Sequence, residues 1–342
     1  MKLKDVCIKG TSNIRQKDVN DSGRYPVYGA AGPVGFMNSF QYDEPYVGVV
    51  KDGAGIGRAT YLPSNSSIIG TMQALIPKKN VLPKYLYYAV SSMHLEKYYS
   101  GATIPHIYFK NYKHERFVLV SKKEQEQIIW RFSLLEKMIS NKQQQLLKLD
   151  ELIKARFVEM FGDPIINNKN IKKKKLGDIC LLKAGDFTPS KKISPVKTSI
   201  NKYPCFGGNG IRGYVDNYTH QGNYSLIGRQ GALCGNVKFA TGKFRNTEHA
   251  ILVSPNIEIN SRWLFELLNL EKLNRFRSGA AQPGLAVKTL NEIIVPVADL
   301  NSQNEYANFV QQVDKSKFEN IVYLNKTLLN KILSQIGDVI RD

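Results

Sequence analysis

The second half of this chain repeats the first at an offset of 178 residues, and no other feature constrains the fold as strongly. Residues 25–36, YPVYGAAGPVGF, fall on residues 203–214, YPCFGGNGIRGY, with Gly29, Gly32 and Gly35 matching Gly207, Gly210 and Gly213. KDGAGIG at 51–57 falls on RQGALCG at 229–235, and GTMQALI at 70–76 matches NTEHAIL at 246–252 once a two-residue gap is opened. The offset returns to 178 at Pro105 and Pro283, and Gln125 and Gln303 correspond just inside two long helical segments. A chain of 342 residues has room for two such domains, each with its own core.

The repeat decides how the glycine run of residues 53–57 is read. A glycine loop that cradles a phosphate or S-adenosylmethionine leads from a strand into a helix, whose N-terminus holds the anion. Here the loop lies between two apolar strand-like stretches in both copies, YVGVV then ATYL, and YSLIG then VKFA. No helix follows, so the glycines read as turn residues that admit positive φ, flanked by Lys51 and Arg229 at the same position.

Each copy runs in one order: a β-rich block, an amphipathic helix (near 83–99 and 261–277), a loop reading SGATIP or SGAAQP, a strand (RFVLV or EIIVPV), and a helix of about 40 residues. In the first long helix, near 122–161, Ile128, Phe132, Leu135, Ile139, Leu146, Leu149, Ile153 and Met160 form a 4-3 seam interrupted at Lys142 and Arg156. Its length would be about 60 Å at 1.5 Å per residue. The second, near 302–340, carries Tyr306, Val310, Val313, Phe318, Ile321, Leu324, Leu328, Ile332, Ile336 and Val339, with a stutter expected around Lys317. Both end on Gly-Asp, at 162–163 and 337–338, where glycine caps a helix. A long helix with one apolar stripe needs a partner, so the two are expected to pack antiparallel. The expected fold is α+β: two similar β-rich domains joined by two long antiparallel coiled-coil helices, an internal pseudo-twofold repeat.

Composition then narrows the partner. With 48 Lys+Arg against 29 Asp+Glu the net charge is +19, which favours a polyanion, nucleic acid first. The run KNIKKKK at 169–175 reads equally as a solvated linker. The cysteines Cys7, Cys180, Cys205 and Cys234 show no Cys-x-x-Cys spacing, and the histidines no ligand spacing, so buried thiols are expected and no metal or cofactor. No apolar run reaches the length of a membrane span, and the N-terminus has no signal-peptide core, so a cytoplasmic location is expected. Two similar basic domains held a fixed distance apart suit a reader of two separated DNA half-sites.

The order domain, long helix, domain, long helix resembles the specificity subunits of Type I restriction–modification systems. So do LDELIKARFVEMFGDP at 149–164, the KEQEQI helix start and IGRQGALCGNVKF at 227–239. The resemblance implies two target-recognition domains, each reading half of a bipartite double-stranded DNA target. The helices then act as spacer and as dock for two DNA methyltransferase subunits, with motor–endonuclease subunits joining a larger assembly. The subunit itself does no chemistry, and similar subunits serve some Type II systems. The second helix departs from the family wording, reading LNKILSQIGDVIRD. The boundaries expected are 1–120 for the first recognition domain, 121–163 for the first spacer helix, 164–175 for a basic linker, 176–300 for the second recognition domain and 301–342 for the second helix.

Two other classes have some footing. DEPY at 43–46 and FGGNG at 206–210 loosely match adenine-methyltransferase motifs, in which an aromatic stacks on a flipped base. FGGNG has a copy, YGAAG, inside the repeat, which speaks against a unique cofactor site. A coiled-coil adaptor without DNA would leave the duplicated basic domains idle. For DNA contact the candidates are Lys51 and Arg229 beside the glycine turn, and Lys110 and Lys288 five residues past equivalent prolines. Arg58, Arg245 and Arg277 could face phosphate, and His106 and Gln282, in loops that differ between copies, could read bases. Tyr28 and Phe206 read as core. Arg131, Lys154 and Arg156, taken as outward-facing on the first long helix, are candidates for meeting the methyltransferases, and Lys142 for setting helix register.

Overall fold

The computed structural model describes residues 1–101, 105–279 and 283–323. The chain divides into two compact units, Met1–Gln143 with Asn320–Asp342, and Gln144–Glu319.

In the second unit one six-stranded sheet runs in the order Gly210–Val215, Tyr203–Gly207, Val237–Asn246, His220–Gly228, Ala250–Pro255, Cys180–Ala184. In the first unit the same order is split between two sheets. Gly32–Met37, Tyr25–Gly29 and Ser67–Ile68 form one; Ala59–Leu62, Tyr46–Val50, Met72–Pro77 and Cys7–Gly10 form the other. Two prolines account for the split. Tyr46 pairs with Leu62 as the last rung, and the next residues outward are Pro45 and Pro63, neither of which has an N–H to donate. Asn65 then turns the chain with φ of 52°. In the second unit the ladder continues past this point to the pair His220–Phe244.

Register shows that the repeat needs no gap. Val50 pairs with Met72 and Gly228 with Ala250, so residues 70–76 correspond to 248–254 rather than to 246–252. The hairpins agree to the residue: Tyr25 faces Met37 and Tyr203 faces Val215, and each has its bulge between the third and fourth residues of the strand, at Val27/Tyr28 and Cys205/Phe206. FGGNG is the tip of the second hairpin, where Gly207 pairs with Gly210 across a two-residue turn.

Three expected elements differ. The amphipathic helices end early, at Pro83–Ser91 and Ser261–Leu270. His94 and Lys272, each at φ 51°, turn the chain into short 3-10 helices, Leu95–Tyr98 and Leu273–Phe276. RFVLV makes only a bridge from Arg116 to Lys2. The basic run expected as linker ends in a strand, Lys173–Lys175, paired with Ile294–Pro296; all three lysine side chains are exposed while the backbone is paired.

The first long helix spans Lys122–Phe161, and Gly162 ends it at φ 76° with its N–H donating to Val158 O. Within the second unit this helix packs against Leu300–Tyr323, running antiparallel to it. The Tyr306 hydroxyl donates to Ile153 O, Arg156 reaches Glu305 at 3.0 Å, and Lys317 reaches Asp150 at 2.6 Å. Phe157, Phe161, Trp263 and Tyr306 form an aromatic knot with ring centroids 5.0–6.2 Å apart, all essentially buried. Cutting such a ring back to alanine costs about 3–5 kcal/mol.

The stutter expected around Lys317 is absent. Tyr306, Val310, Val313, Lys317 and Asn320 keep 4-3 spacing, and the two polar residues take inward positions because partners await them. Phe318 and Ile321 are displaced outward and lie 67% and 42% exposed. In the first unit Lys142 donates to Asn320 Oδ1 at 2.9 Å and covers the Tyr323 ring. The end of the second helix, with its Gly-Asp and the apolar positions from Leu324 on, lies outside the described residues.

Candidate nucleic-acid interface

The glycine loop is held by one set of backbone bonds, made twice. Lys51 donates its N–H to Thr71 O and accepts from Ile107; Arg229 donates to His249 O and accepts from Leu285. Gly53 N–H reaches Pro105 O and Gly231 N–H reaches Pro283 O, and Gly57 and Gly235 close the loop onto Val50 O and Gly228 O. A β-carbon on Gly57 would stand 2.4 Å from Glu96 N, and one on Gly235 2.4 Å from Asn274 N, at φ of +82° and +86°. The glycines are there to let the loop lie against the 3-10 helix, and the strand after the loop leads into no helix.

The frame uses only the backbone of Lys51 and Arg229. Both side chains are half-buried, and among the described residues neither pairs with a carboxylate. Arg58 is exposed and donates to Ala30 O at 2.6 Å, tying the loop to the hairpin turn; its counterpart Asn236 donates to Asn209 on the equivalent turn.

Around the frame the copies diverge. In the first unit His106 Nδ1 lies 2.7 Å from Asp52 Oδ1, the His106 ring stacks on Tyr108 at 6.3 Å, and Lys110 stands 5.4 Å above Tyr108. The structure thus brings Lys51, His106 and Lys110 to one loop cluster. It adds Asp52 and the half-exposed Tyr108, which sequence reasoning passed over. In the second unit the equivalent positions are Gln230, Gly284 and Ala286, so no ring stands there. Gln230 instead meets His249 Nδ1 at 3.3 Å. Their signal in the sequence was positional: Gln230 stands where the first copy has Asp52.

Arg245 sits apart from the second loop, in a cleft with Phe187, Thr188, Lys191, Lys192 and Asn217. Its Nε donates to Thr188 Oγ1 at 3.0 Å and a terminal nitrogen to Asn217 Oδ1 at 2.9 Å, which fixes the guanidinium plane. Nearby His220 stacks on Phe244, and burial holds its imidazole below the ordinary value, so it is neutral at pH 7. Arg277 and Lys288 are exposed. Gln282 lies outside the described residues.

On the first long helix Arg131 and Lys154 are exposed. Arg156 is half-buried: it bridges Glu159 and Glu305 and lies over Phe309. Tyr46 of DEPY is fully buried against Tyr42 and bonded to Ser66, where no base can stack on it, and Phe206 of FGGNG is core. The four cysteines are buried free thiols. Among the described residues no cluster of His, Cys, Asp and Glu is placed to hold a metal, and no helix is long and apolar enough to cross a membrane.

The family model described as Type I restriction modification DNA specificity domain matches residues 1–151 and again residues 168–333. The Type I restriction enzyme EcoprrI specificity subunit of Escherichia coli is 46% identical over 143 residues, 42% of this chain and 36% of that protein, so the match spans about a third of the relative's length. A type I specificity subunit of Mycoplasma pneumoniae is 23% identical over 323 residues, 90% of this chain and 86% of that one. In fold the chain is similar to the crystal structure of the Type I restriction–modification S subunit from M. genitalium, with TM-score 0.59 at 18% identity, covering 99% of this chain and 92% of that one.

Proposed function

The chain belongs to the Type I restriction–modification DNA specificity family, and from that premise we propose that it reads a bipartite double-stranded DNA target and brings DNA methyltransferase subunits to it. The reading assigns one half-site to each repeat and no catalysis to the chain itself. It is supported above all by the duplicated loop frame, which presents Lys51 in one unit and Arg229 in the other, at one position and, among the described residues, free of carboxylate partners. The backbone bonds of that frame could be made with any side chain there; a base is present both times. Phosphate takes these two cations, with Arg58, Lys110, Arg277 and Lys288 as further backbone contacts. His106 and Arg245 lie where the copies differ, as base readers must if two half-sites differ in sequence.

In this reading residues 1–120 and 176–300 are the recognition domains. Residues 121–163 and 301–342 form the antiparallel coiled-coil spacer, and 164–175 is the connection. Two methyltransferase subunits dock along the helices, with Arg131 and Lys154 as contacts, and motor–endonuclease subunits join the assembly for host defence in the cytoplasm. A Type II setting with a combined methyltransferase–nuclease uses the same recognition chemistry. The test is whole-genome mapping of methylated bases in cells expressing the chain with and without its methyltransferase. Adenine methylation at one bipartite motif, only with the partner present, is the expected result. Methylation by the chain alone refutes the non-catalytic assignment, and methylation by the partner at an unchanged motif without the chain refutes the recognition role.

A further inference from the structure

A second feature is written twice, at the open end of each hairpin. In the first unit the Arg24 guanidinium lies 5.5 Å over the Tyr25 ring, and Tyr25 meets Phe40 edge-on with centroids 4.8 Å apart at 72°. In the second unit Lys202 lies 5.3 Å over Tyr203, and Tyr203 meets Tyr218 at 5.0 Å and 59°. All three positions correspond at the offset of the repeat. Lys243 adds a further cation 4.8 Å over Tyr218.

The fold does not require these rings in the open. The hairpin already buries Val27 and Cys205 completely, while Phe40 and Tyr218 remain 40% and 41% exposed. Arg24, Lys202 and Lys243 are exposed, and among the described residues none of them pairs with a carboxylate. A cation over the face of an exposed ring is only weakly held, so the charge stays available to an anion. What each cluster offers is an open aromatic edge flanked by uncompensated positive charge. Its natural complement is a polyanion whose charges alternate with flat, partly apolar groups. In the second unit the cluster also adjoins the Arg245 cleft, since Asn217, the residue before Tyr218, accepts from Arg245.

We propose that Arg24–Tyr25–Phe40 and Lys202–Tyr203–Tyr218–Lys243 are a matched pair of DNA-contact sites, one in each unit. The cations take backbone phosphates, and the exposed ring of Phe40 or Tyr218 lies against the sugar and base beside them. This rests on the DNA-recognition reading above.

The test uses the chain assembled with its methyltransferase, fluorescence anisotropy on a duplex carrying the mapped motif, and the same duplex with either half-site scrambled. Lys202→Gln and Lys243→Gln alter exposed side chains and leave the fold alone; each should lower the salt slope of log K by about one. Phe40→Ala and Tyr218→Ala should weaken binding by about tenfold, while Phe40→Tyr and Tyr218→Phe keep wild-type affinity. First-unit variants should lose their effect when one half-site is scrambled, and second-unit variants when the other is. If the wild-type assembly methylates its motif but all four loss variants bind with unchanged Kd and salt slope, the proposal is overturned and the recognition role stands. If the variants instead impair assembly with the methyltransferase at unchanged DNA affinity, the clusters are protein contacts and the proposal is likewise overturned. A wild-type assembly that shows no salt-dependent binding to its motif overturns both.

Discussion

Replacing Gln303 with leucine tests whether the start of the second long helix is locked to its unit by one buried amide. Gln303 is 1% exposed; its Oε1 accepts from Asn260 N–H at 2.8 Å, and its Nε2 donates to Ala298 O at 2.8 Å. Asn260 is itself the cap of the Ser261–Leu270 helix, its side chain accepting from the N–H groups of Arg262 and Trp263. Leucine fills much of the same volume but leaves one N–H and one C=O without partners. Both backbone positions are only half-buried, so each loss falls at the lower end of the range, about 1 kcal/mol, or about 2 kcal/mol together. For a unit of this size that lowers the melting temperature by about 4–8 °C. The chain has two tryptophans, Trp130 exposed and Trp263 buried in this unit, so in a Trp130→Phe background the fluorescence transition reports the second unit alone. Gln303→Glu keeps the acceptor but loses the donor and buries a charge. Its folded pKa is then raised above the unfolded value, so its stability should recover as pH falls toward the ordinary glutamate range. A Gln303→Leu transition within about 1 °C of the parent would refute the reasoning, since it would mean that the amide holds nothing that leucine cannot.

Other outcomes follow from the same geometry. Lys51→Ala and Arg229→Ala should each weaken DNA binding about equally across sequences and lower the salt slope by about one, read by anisotropy titrations at several ionic strengths. Burial raises the carboxyl pKa of Glu266 and of Glu271 in the second unit, against the pull of Arg262 and Arg275. Their contribution to stability is therefore complete below the ordinary glutamate value and lost as pH rises through the folded one. Melts of the Trp263 reporter should show that unit gaining stability as pH falls from neutral toward the ordinary glutamate range, and a Glu266→Gln, Glu271→Gln double variant should lack the gain. Lys142→Leu should cost about 1 kcal/mol by leaving Asn320 without its partner, and adding Asn320→Leu should return it, as thermal melts of the two variants will show. Inserting a few residues in the first long helix should change the spacer of the methylated motif and leave both half-sites unaltered, as methylation mapping will show.

The repeat was legible because strand pairing and turn geometry demand the same residues at the same places, and glycine and proline carry those demands openly. The long helices were legible from their apolar period. Where reading of the long helices failed, the cause was a polar side chain in an inward position. Lys317 and Asn320 satisfy the 4-3 spacing, but they look like an interruption unless Asp150 and Lys142 are known to face them. Phe318 and Ile321 then seem to continue the stripe that they have left. Arg156 is half-buried for a related reason, its partner Glu305 lying far along the chain. The false gap at residues 70–76 arose because short β-strands resemble one another when shifted by two, a full period of the pleat; only the pairing partners of Met72 and Ala250 remove it.

The duplication separates what the fold needs from what an external partner needs. Gly57 and Gly235 are held by a clash that any β-carbon would meet, so their recurrence says nothing about function. Lys51 and Arg229 occupy the same frame, yet the frame touches only their backbones, and an uncharged side chain would serve it as well. The recurrence of positive charge there has no intramolecular cause among the described residues. On the proposed function, a demand from outside the molecule, common to both halves, explains it, since the phosphate backbone of DNA is common to any two half-sites. The same logic runs in reverse for Asp52 and Gln230, and for His106 and Gly284. These pairs stand on one frame and differ in charge and donor capacity (Asp52 and Gln230) or in the presence of a ring (His106 and Gly284), as the proposed reading of two unlike half-sites requires. If a second chain of this design were recoded by exchanging Asp52–His106 for Gln–Gly, the frame bonds would survive and only the first half-site of the methylated motif should change. A change in the second half-site, or in stability without any change of motif, would place the reading elsewhere.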